Sequence, residues 1–281
     1  MMTEKILRTG KNGMAMLLLL IAVTVLGLGL FIASIAITGW MVIPGLLGLA
    51  AAVVALVCFG GLKVLKPQEA LVLTLFGKYI GTLKGEGFYF ANPLCSAVNP
   101  AAKTVLNQSG DVKAAAAVDN SMKMSLKIMT LSNNKQKIND CLGNPVEIGI
   151  AVIWRVADTA KAVFNVDNYK EFLSLQCDAA LRNIVRVYPY DVAQNVDTTG
   201  DGEPDEGSLR GSSEIVAERI KEEIQTRVNT AGLEIVEARI TYLAYAPEIA
   251  AVMLQRQQAS AIVDARKMIV DGAVGMVEMA L

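Results

Sequence analysis

The sequence predicts an α+β domain set behind an N-terminal transmembrane helical hairpin and followed by a long C-terminal helix that joins copies of the chain. Three observations predict it. No charged residue stands between Lys11 and Lys63. Several short β-type segments fall between residues 68 and 156. Helical periodicity takes over after Asp158 and returns from Pro247 to the last residue. Hydrophobic residues make up 53% of the 281, above the roughly 45–50% of a soluble domain. The surplus sits in the charge-free run.

That run divides in two. Residues 14 to 37 (MAMLLLLIAVTVLGLGLFIASIAI) would extend about 36 Å as a helix, enough for a hydrocarbon core of about 30 Å with some tilt. Residues 41 to 62 (MVIPGLLGLAAAVVALVCFGGL) make a second run after Thr38, Gly39 and Trp40. Trp favours the membrane interface, glycine permits a turn, and Pro44 is tolerable in a first helical turn. Both runs together are too long for a cleaved signal peptide. A single span followed by an in-plane or re-entrant segment is the rival, since Gly39, Pro44, Gly45 and Gly48 make the second run irregular early. Lys5, Arg8 and Lys11 precede the runs and Lys63 and Lys66 follow them, so the positive-inside rule puts both flanks in the cytoplasm. The expected organisation is a basic segment over 1–13, the hairpin over 14–62, a domain over 63–246 and the long helix over 247–281. The expected location is the cell membrane, multi-pass, with the domain on the cytoplasmic side.

Composition excludes several chemistries. The chain has no histidine, which removes Ser-His-Asp and Cys-His devices and His-ligated metal. Cys58, Cys95, Cys141 and Cys177 contain no C-x-x-C pair and read as reduced, buried thiols. No G-x-S-x-G elbow is present. Removing Glu4, Lys5, Arg8 and Lys11 from totals of 26 basic and 27 acidic residues leaves a formal charge of −3 on the part after the membrane runs. Global charge therefore argues against nucleic acid as a partner. No catalytic residue and no cofactor is expected.

Within the domain, residues 68 to 76 read as a strand, the four glycines of 77 to 87 as turns, and residues 88 to 90 as a short strand before Asn92-Pro93. From Ser121, alternation of Met122, Met124, Leu126 and Ile128 with polar residues predicts one half-buried strand. Residues 146 to 156 read as a longer one. Asp158 is expected to cap a helix to Phe164, and Asp167 a longer helix with Tyr169, Phe172, Leu173, Gln176, Ala180, Ile184 and Val187 near one face. Ser212 is expected to cap a helix over 213–231, with stripe Ile215, Val216, Ile220, Ile224 and Val228, a Glu223–Arg227 pair and Gly232 past its end. Residues 233 to 243 return to strand. The helix from Pro247 has apolar positions at three to four, among them Ile249, Ile262, Ile269 and Val277. A stripe that its own domain does not cover tends to pack on copies of itself.

Taken in order, these residues resemble the stomatin/prohibitin/flotillin family (SPFH, or Band 7), in its bacterial stomatin-like form. After a membrane segment come Pro67 and Glu69, the Phe76-Gly77-Lys78 turn, and Gly87-Phe88-Tyr89-Phe90 with Asn92-Pro93. Trp154-Arg155-Val156, Ala180-Leu181-Arg182, Gly232 to Ile235 and Pro247 to Ala259 then follow. The resemblance runs over about residues 63 to 281. Many relatives carry a much longer coiled coil after the domain; here the helix runs to Leu281. A second departure is the acidic insertion 197–206. Asp197, Asp201, Asp205 and Glu206 make it a weak calcium candidate, but Ser208 stands where an EF-hand loop carries its bidentate Glu. A solvated turn is the reading, and no metal site is assigned.

The resemblance implies a membrane-anchored homo-oligomer that forms a ring or cage and organises a patch of membrane and its client proteins. Its partners would be membrane lipids, other copies of itself, and membrane proteases or other membrane clients. Lys63 and Lys66 are the expected headgroup contacts, and Arg155 and Arg182 the expected ion pairs or neighbour contacts. The alternatives are a regulatory partner of a membrane protease or channel, and a channel subunit. Uncharged spans argue against the last.

Overall fold

The computed structural model describes residues 4–7, 13–36, 42–106, 112–114, 122–191 and 207–280. The turn at 38–40 and the calcium candidates Asp197, Asp201, Asp205 and Glu206 lie outside them.

Helices α1 (Gly13–Ala36) and α2 (Val42–Phe59) pack against each other. A Cβ on Gly27 would come within 2.5 Å of the Gly48 carbonyl oxygen, and one on Gly48 within 2.7 Å of the Gly27 oxygen. The two backbones touch, which only glycine at both positions permits. By length and composition, Gly13–Ile35 suffices to cross a membrane, whereas Ile43–Phe59 is shorter. At 1.5 Å per residue the 18 residues of α2 reach about 27 Å. The second apolar run therefore does not stay helical to Leu62, as expected from its hydropathy. The helix closes through Gly60 N to Val57 O and Gly61 N to Cys58 O, and the next apolar residues form a strand.

That strand, β1 (Leu62–Leu65), pairs antiparallel with β4 (Gly87–Phe90). Between them come β2 (Glu69–Leu75) and β3 (Lys78–Lys84), an antiparallel pair extended by β5 (Ser96–Ala97) on the other edge of β2. The two small sheets enclose Leu65, Leu71, Leu73, Leu83 and Tyr89. Residues 77–87 are thus mostly strand, contrary to the turn reading of their glycines. Gly77 (φ 81) and Gly85 (φ 97) do turn the chain. Gly81 instead sits in β3 because the N-terminal segment lies against it: a Cβ there would be 2.8 Å from the Lys5 oxygen and 2.7 Å from Leu7 Cγ.

A hairpin of β6 (Thr104–Leu106) and β7 (Val112–Ala114) follows. Next is β8 (Met124–Ser125), which pairs with the start of β2. The single strand expected from Ser121 is not formed. Met124 is buried and the Leu126 amide donates to Gln68 O at 2.8 Å, but Met122 and Ile128 are exposed. Its partner β2 starts at Glu69, and Gln68 (φ 60) turns the neighbouring chain away, so nothing remains to pair with.

The larger sheet joins β9 (Met129–Ser132) and β10 (Gln136–Asn139) to one edge of β11 (Pro145–Val156), with β12 (Leu233–Tyr245) along the other. Register shifts leave Val236 and Thr241 of β12 without opposite residues. Such bulges discourage strand addition along an open edge. Helices α3 (Thr159–Phe164), α4 (Tyr169–Val185) and α5 (Ser213–Val228) supply the other half of this core, centred on Ile148, Ile150, Val152 and Trp154.

The caps follow local chemistry. Asp158 Oδ1 accepts from Lys161 N at 3.0 Å, as expected. The cap of α4 is Asn168 rather than Asp167, its Oδ1 accepting from Lys170 N at 3.2 Å. The buried face of α4 runs through Leu173, Cys177, Ala180, Leu181 and Val185, while Val187 is past the helix end and exposed. Ser212 precedes α5 but makes no side-chain cap. The stripe Val216, Ile220, Ile224 and Val228 is buried, whereas Ile215 is half exposed. Gly232 (φ 65) takes the left-handed conformation after a 3₁₀ turn at Asn229–Ala231. The last helix, α6 (Pro247–Ala280), is one continuous element.

Candidate membrane-facing and assembly surfaces

Three surfaces concentrate the residues singled out by sequence. The first is the exit of the hairpin. Ala91 N donates to Gly61 O at 2.9 Å, tying the end of β4 to the end of α2. On the other side α1 begins against β4, so that a Cβ on Gly13 would meet the Phe88 backbone at 2.6 Å. Lys63 lies half-buried in β1 beside this exit. Lys66 stands at the opposite end of β1, about 10 Å further along the strand, exposed beside Pro67. Its amide donates to Glu69 Oε2 at 3.0 Å, and Lys123 Nζ lies 3.5 Å from the same oxygen. The backbone hydrogen bond holds the Glu69 carboxyl below its usual range, with the lysines adding to it and desolvation opposing. Phe88 and Pro93 are half-buried near the exit, and Gly87 ends the β3–β4 turn.

Sequence reading missed the second element there, the segment before the hairpin. Residues 4–7 lie alongside β3: Thr82 N donates to Lys5 O at 2.8 Å and Leu7 N to Thr82 O at 3.0 Å. Glu4 is the fastening. Its Oε2 accepts from Lys84 Nζ at 2.7 Å, and its Oε1 from the amide and hydroxyl of buried Thr159. Thr159 Oγ1 lies 3.1 Å from Thr82 Oγ1, which lies 2.9 Å from the Tyr79 hydroxyl. A carboxylate with three donors in a mostly buried site is held far more firmly than a surface ion pair. The sequence signal is thin: residues 4–7 hold one acid, one base and two apolar residues, and nothing in them marks a distant partner.

The third surface is α6. Its root is fixed. The Tyr190 and Tyr245 rings stack with centroids 3.9 Å apart, Glu248 pairs with Lys137, and Gln257 Nε2 donates to Asp191 Oδ2 at 2.9 Å. Burial and nearby carboxylates push the Tyr245 hydroxyl up to about 12. Ile249, Met253 and Gln257, spaced by four, are half-buried on that side. Beyond them the helix leaves the domain: Ile262 is 54% and Ile269 71% exposed, and Val263, Met268, Val270, Val274 and Met276 are exposed as well. The Val277 side chain lies outside the described set.

The two arginines have different surroundings. Arg155 forms a two-pronged pair with Glu234 across β11 and β12, both bonds at 2.9 Å, which draws the Glu234 carboxyl down. Arg182 is exposed on α4, one turn from Asp178. Burial pushes the Asp178 carboxyl up, against the pull of Asn133, Arg182 and Gln136. No group of three metal-ligating side chains occurs among the described residues.

An N-terminal helix long and apolar enough to cross a membrane, two small sheets at its foot, a larger α+β body and a projecting helix define an α+β protein of a recognisable class. The sequence model of the SPFH domain / Band 7 family matches residues 63–269. The chain belongs to that family, whose members are often membrane scaffolds. No curated protein matches it.

Proposed function

We propose that this chain is a membrane-anchored homo-oligomeric scaffold that forms a ring or cage and organises a membrane patch and its clients, without catalysing a reaction itself. The observation that carries this reading is the exposure of α6. From Ile262 onward its apolar residues face away from its own domain, on a helix rooted by Tyr245, Glu248 and Gln257. At about 100° per residue, Arg256, Ser260, Lys267 and Asp271 fall within roughly 60° of arc. The remainder is largely apolar, broken by Gln257, Gln258, Asp264 and Arg266. An arc that wide suits a neighbour on each side, as a ring requires, and exceeds the single seam of a two-stranded coil. Anchored copies side by side would add their weak contacts by avidity.

Residues 4–7 support a hairpin rather than a single crossing. They precede α1 yet pair with β3, which follows α2, and this fits a chain that returns to the side from which it entered. The basic flanks favour the cytoplasmic side. Arg182, Lys63 and Lys78 are the proposed contacts to neighbouring copies or anionic headgroups.

The test is the mass of the gently solubilised full-length complex, by mass photometry or electron microscopy. A discrete particle of many copies is expected. The double variant Ile262→Asp, Ile269→Asp should release protomers while the circular dichroism of the β-rich domain is retained. Monomers from the unmutated chain, or an intact assembly from the double variant, would overturn the reading.

A further inference from the structure

We propose that the two open edges of the larger sheet are complementary halves of one interface, the basic edge at β9–β10 seating against the acidic groove between α5 and β12 of the next copy. The proposal rests on the reading that copies of the chain stand side by side, and it names the surface by which they meet.

The sheet puts these edges on opposite sides of the body. β9 and β10 pair with one side of β11, and β12 pairs with the other. Among the described residues, the far sides of β9, β10 and β12 pair with no strand. Met129 lies opposite Trp154, and Trp154 opposite Ile235. The two edges are therefore level with each other and point in opposite directions.

Charge divides between them. From Lys123 to Asn139 the chain carries Lys123, Lys127, Lys135 and Lys137 and no acid. Lys123 and Lys137 are taken up by Glu69 and Glu248. Lys127 and Lys135 are exposed, the latter packed 3.5 Å above the centre of the Tyr242 ring. On the other side, residues 213–223 set Glu214, Glu218, Glu222 and Glu223 against Arg219 and Lys221. A hydrogen bond from Glu218 raises the Lys221 ammonium above its usual range, with Glu222 and Glu237 adding to it and desolvation opposing. The field over this edge is negative.

Shape agrees with charge. A groove of about 430 Å³ opens between α5 and β12. Glu214, Glu218 and Glu237 rim it, and Ala217, Ala238 and Ile240 give it an apolar floor. Arg239, also in its lining, pairs with Glu237. The basic edge carries a matching projection, since Ile128 is 61% exposed next to Lys127. An isoleucine entering the groove with a lysine reaching its rim makes an apolar contact ringed by opposite charges. The bulges at Val236 and Thr241 oppose strand addition, so side chains rather than backbone make this contact.

The arrangement works only head to tail. Two copies meeting by the same edge would set lysines against lysines or glutamates against glutamates. A contact between different surfaces leaves one free edge of each kind at the ends of a row. It therefore continues from copy to copy and closes when the rotation does.

The experiment uses full-length protein, gently solubilised and weighed by mass photometry. Lys127→Glu with Lys135→Glu makes both edges acidic, and Glu214→Lys with Glu218→Lys makes both basic. All four positions are exposed, and circular dichroism checks that each chain stays folded. Each variant alone should lose roughly tenfold or more of its many-copy particle through like-charge contact. An equal mixture of the two should regain it, because every reversed edge then meets its opposite. A variant that assembles as the unmutated chain does, or two folded variants that fail to restore each other, overturns the proposal. A second measurement avoids charge reversal. In a chain with Cys58, Cys95 and Cys141 replaced by alanine and buried Cys177 retained, Ile128→Cys and Glu218→Cys are joined by a short bismaleimide. A ladder of covalent multiples is expected. No ladder from an assembled particle, or dimers from Ile128→Cys alone, overturns the proposal even where a reversed chain has unfolded. An unmutated chain that is monomeric defeats the side-by-side reading, and this proposal with it. A particle that survives both reversals defeats this proposal alone.

Discussion

Helices α5 and α6 carry the same kind of apolar periodicity and meet opposite fates. In α5, Val216, Ile220, Ile224 and Val228 recur at four and are all fully buried against β12 and α4. In α6, Ile249 and Met253 begin the same stripe, half-buried, and from Ile262 the apolar residues stand in the open. Spacing states that a helix has a face to bury; it does not state whether the partner belongs to the same chain. α5 is bracketed by elements that return to the sheet, through Gly232 into β12. α6 follows the last strand, and from Ile262 onward its large apolar residues are exposed. The comparison separates residues that make the fold from residues that await an assembly.

The sharpest way to test that division is to make the same cut in both helices. Ile220→Ala should destabilise the domain by about 2–5 kcal/mol, the usual cost of such a truncation in a packed core. Ile262→Ala should leave the unassembled domain's stability unchanged within about 0.5 kcal/mol, as exposed positions do. Denaturant unfolding of both variants, in detergent that disperses the complex, gives the two values. Equal losses would mean that α6 folds back on its own domain.

A smaller effect is expected at the N-terminal segment, which resembles α5 in being fastened although it lies at the chain's edge. Glu4→Ala leaves the Lys84 ammonium and the Thr159 hydroxyl without their carboxylate, costing about 1–3 kcal/mol. The loss should be local. Amide exchange at Thr82, whose N–H donates to Lys5 O, should accelerate strongly, while exchange in β11 stays as it was. Unchanged exchange at Thr82 would show that the segment is held by its backbone alone.

The smallest effect concerns Asp178 on α4. Its carboxyl is raised by burial, so the native state binds a proton more readily than the unfolded chain, and its contribution to stability grows as pH falls. Asp178→Asn should therefore raise the melting temperature slightly at neutral pH. The gain should shrink on acidification below the folded carboxyl's pKa, where the wild-type side chain is already neutral. A gain independent of pH would point to packing instead of charge.

Much of this was legible in the residues. The long apolar run, the strand over 145–156, the helix stripe of α5, Gly232 as a stop and the continuous helix from Pro247 all follow from local rules of period and capping. The misreadings share one cause. Gly81 reads as a turn until Lys5 and Leu7 are laid against it. The alternation after Ser121 reads as one strand until β2 runs out as its partner. Leu62 reads as membrane helix until β4 claims it. In each case a neighbour distant in sequence decides the conformation, and no local pattern encodes that neighbour.

What the sequence determined by itself is the set of surfaces to be buried: an uncharged hairpin, alternating strands and amphipathic helices. Hydrophobic period and charge are properties of consecutive residues, and they survive without a fold. What the tertiary structure decided is which of those surfaces find partners within the chain. It joined Glu4 to Lys84 and Thr159, closed the core over α5, and left α6, Phe76 and Leu94 uncovered. That choice depends on chain connections and on competition between distant segments for the same sheet edges. Those are long-range quantities, and only the assembled fold evaluates them.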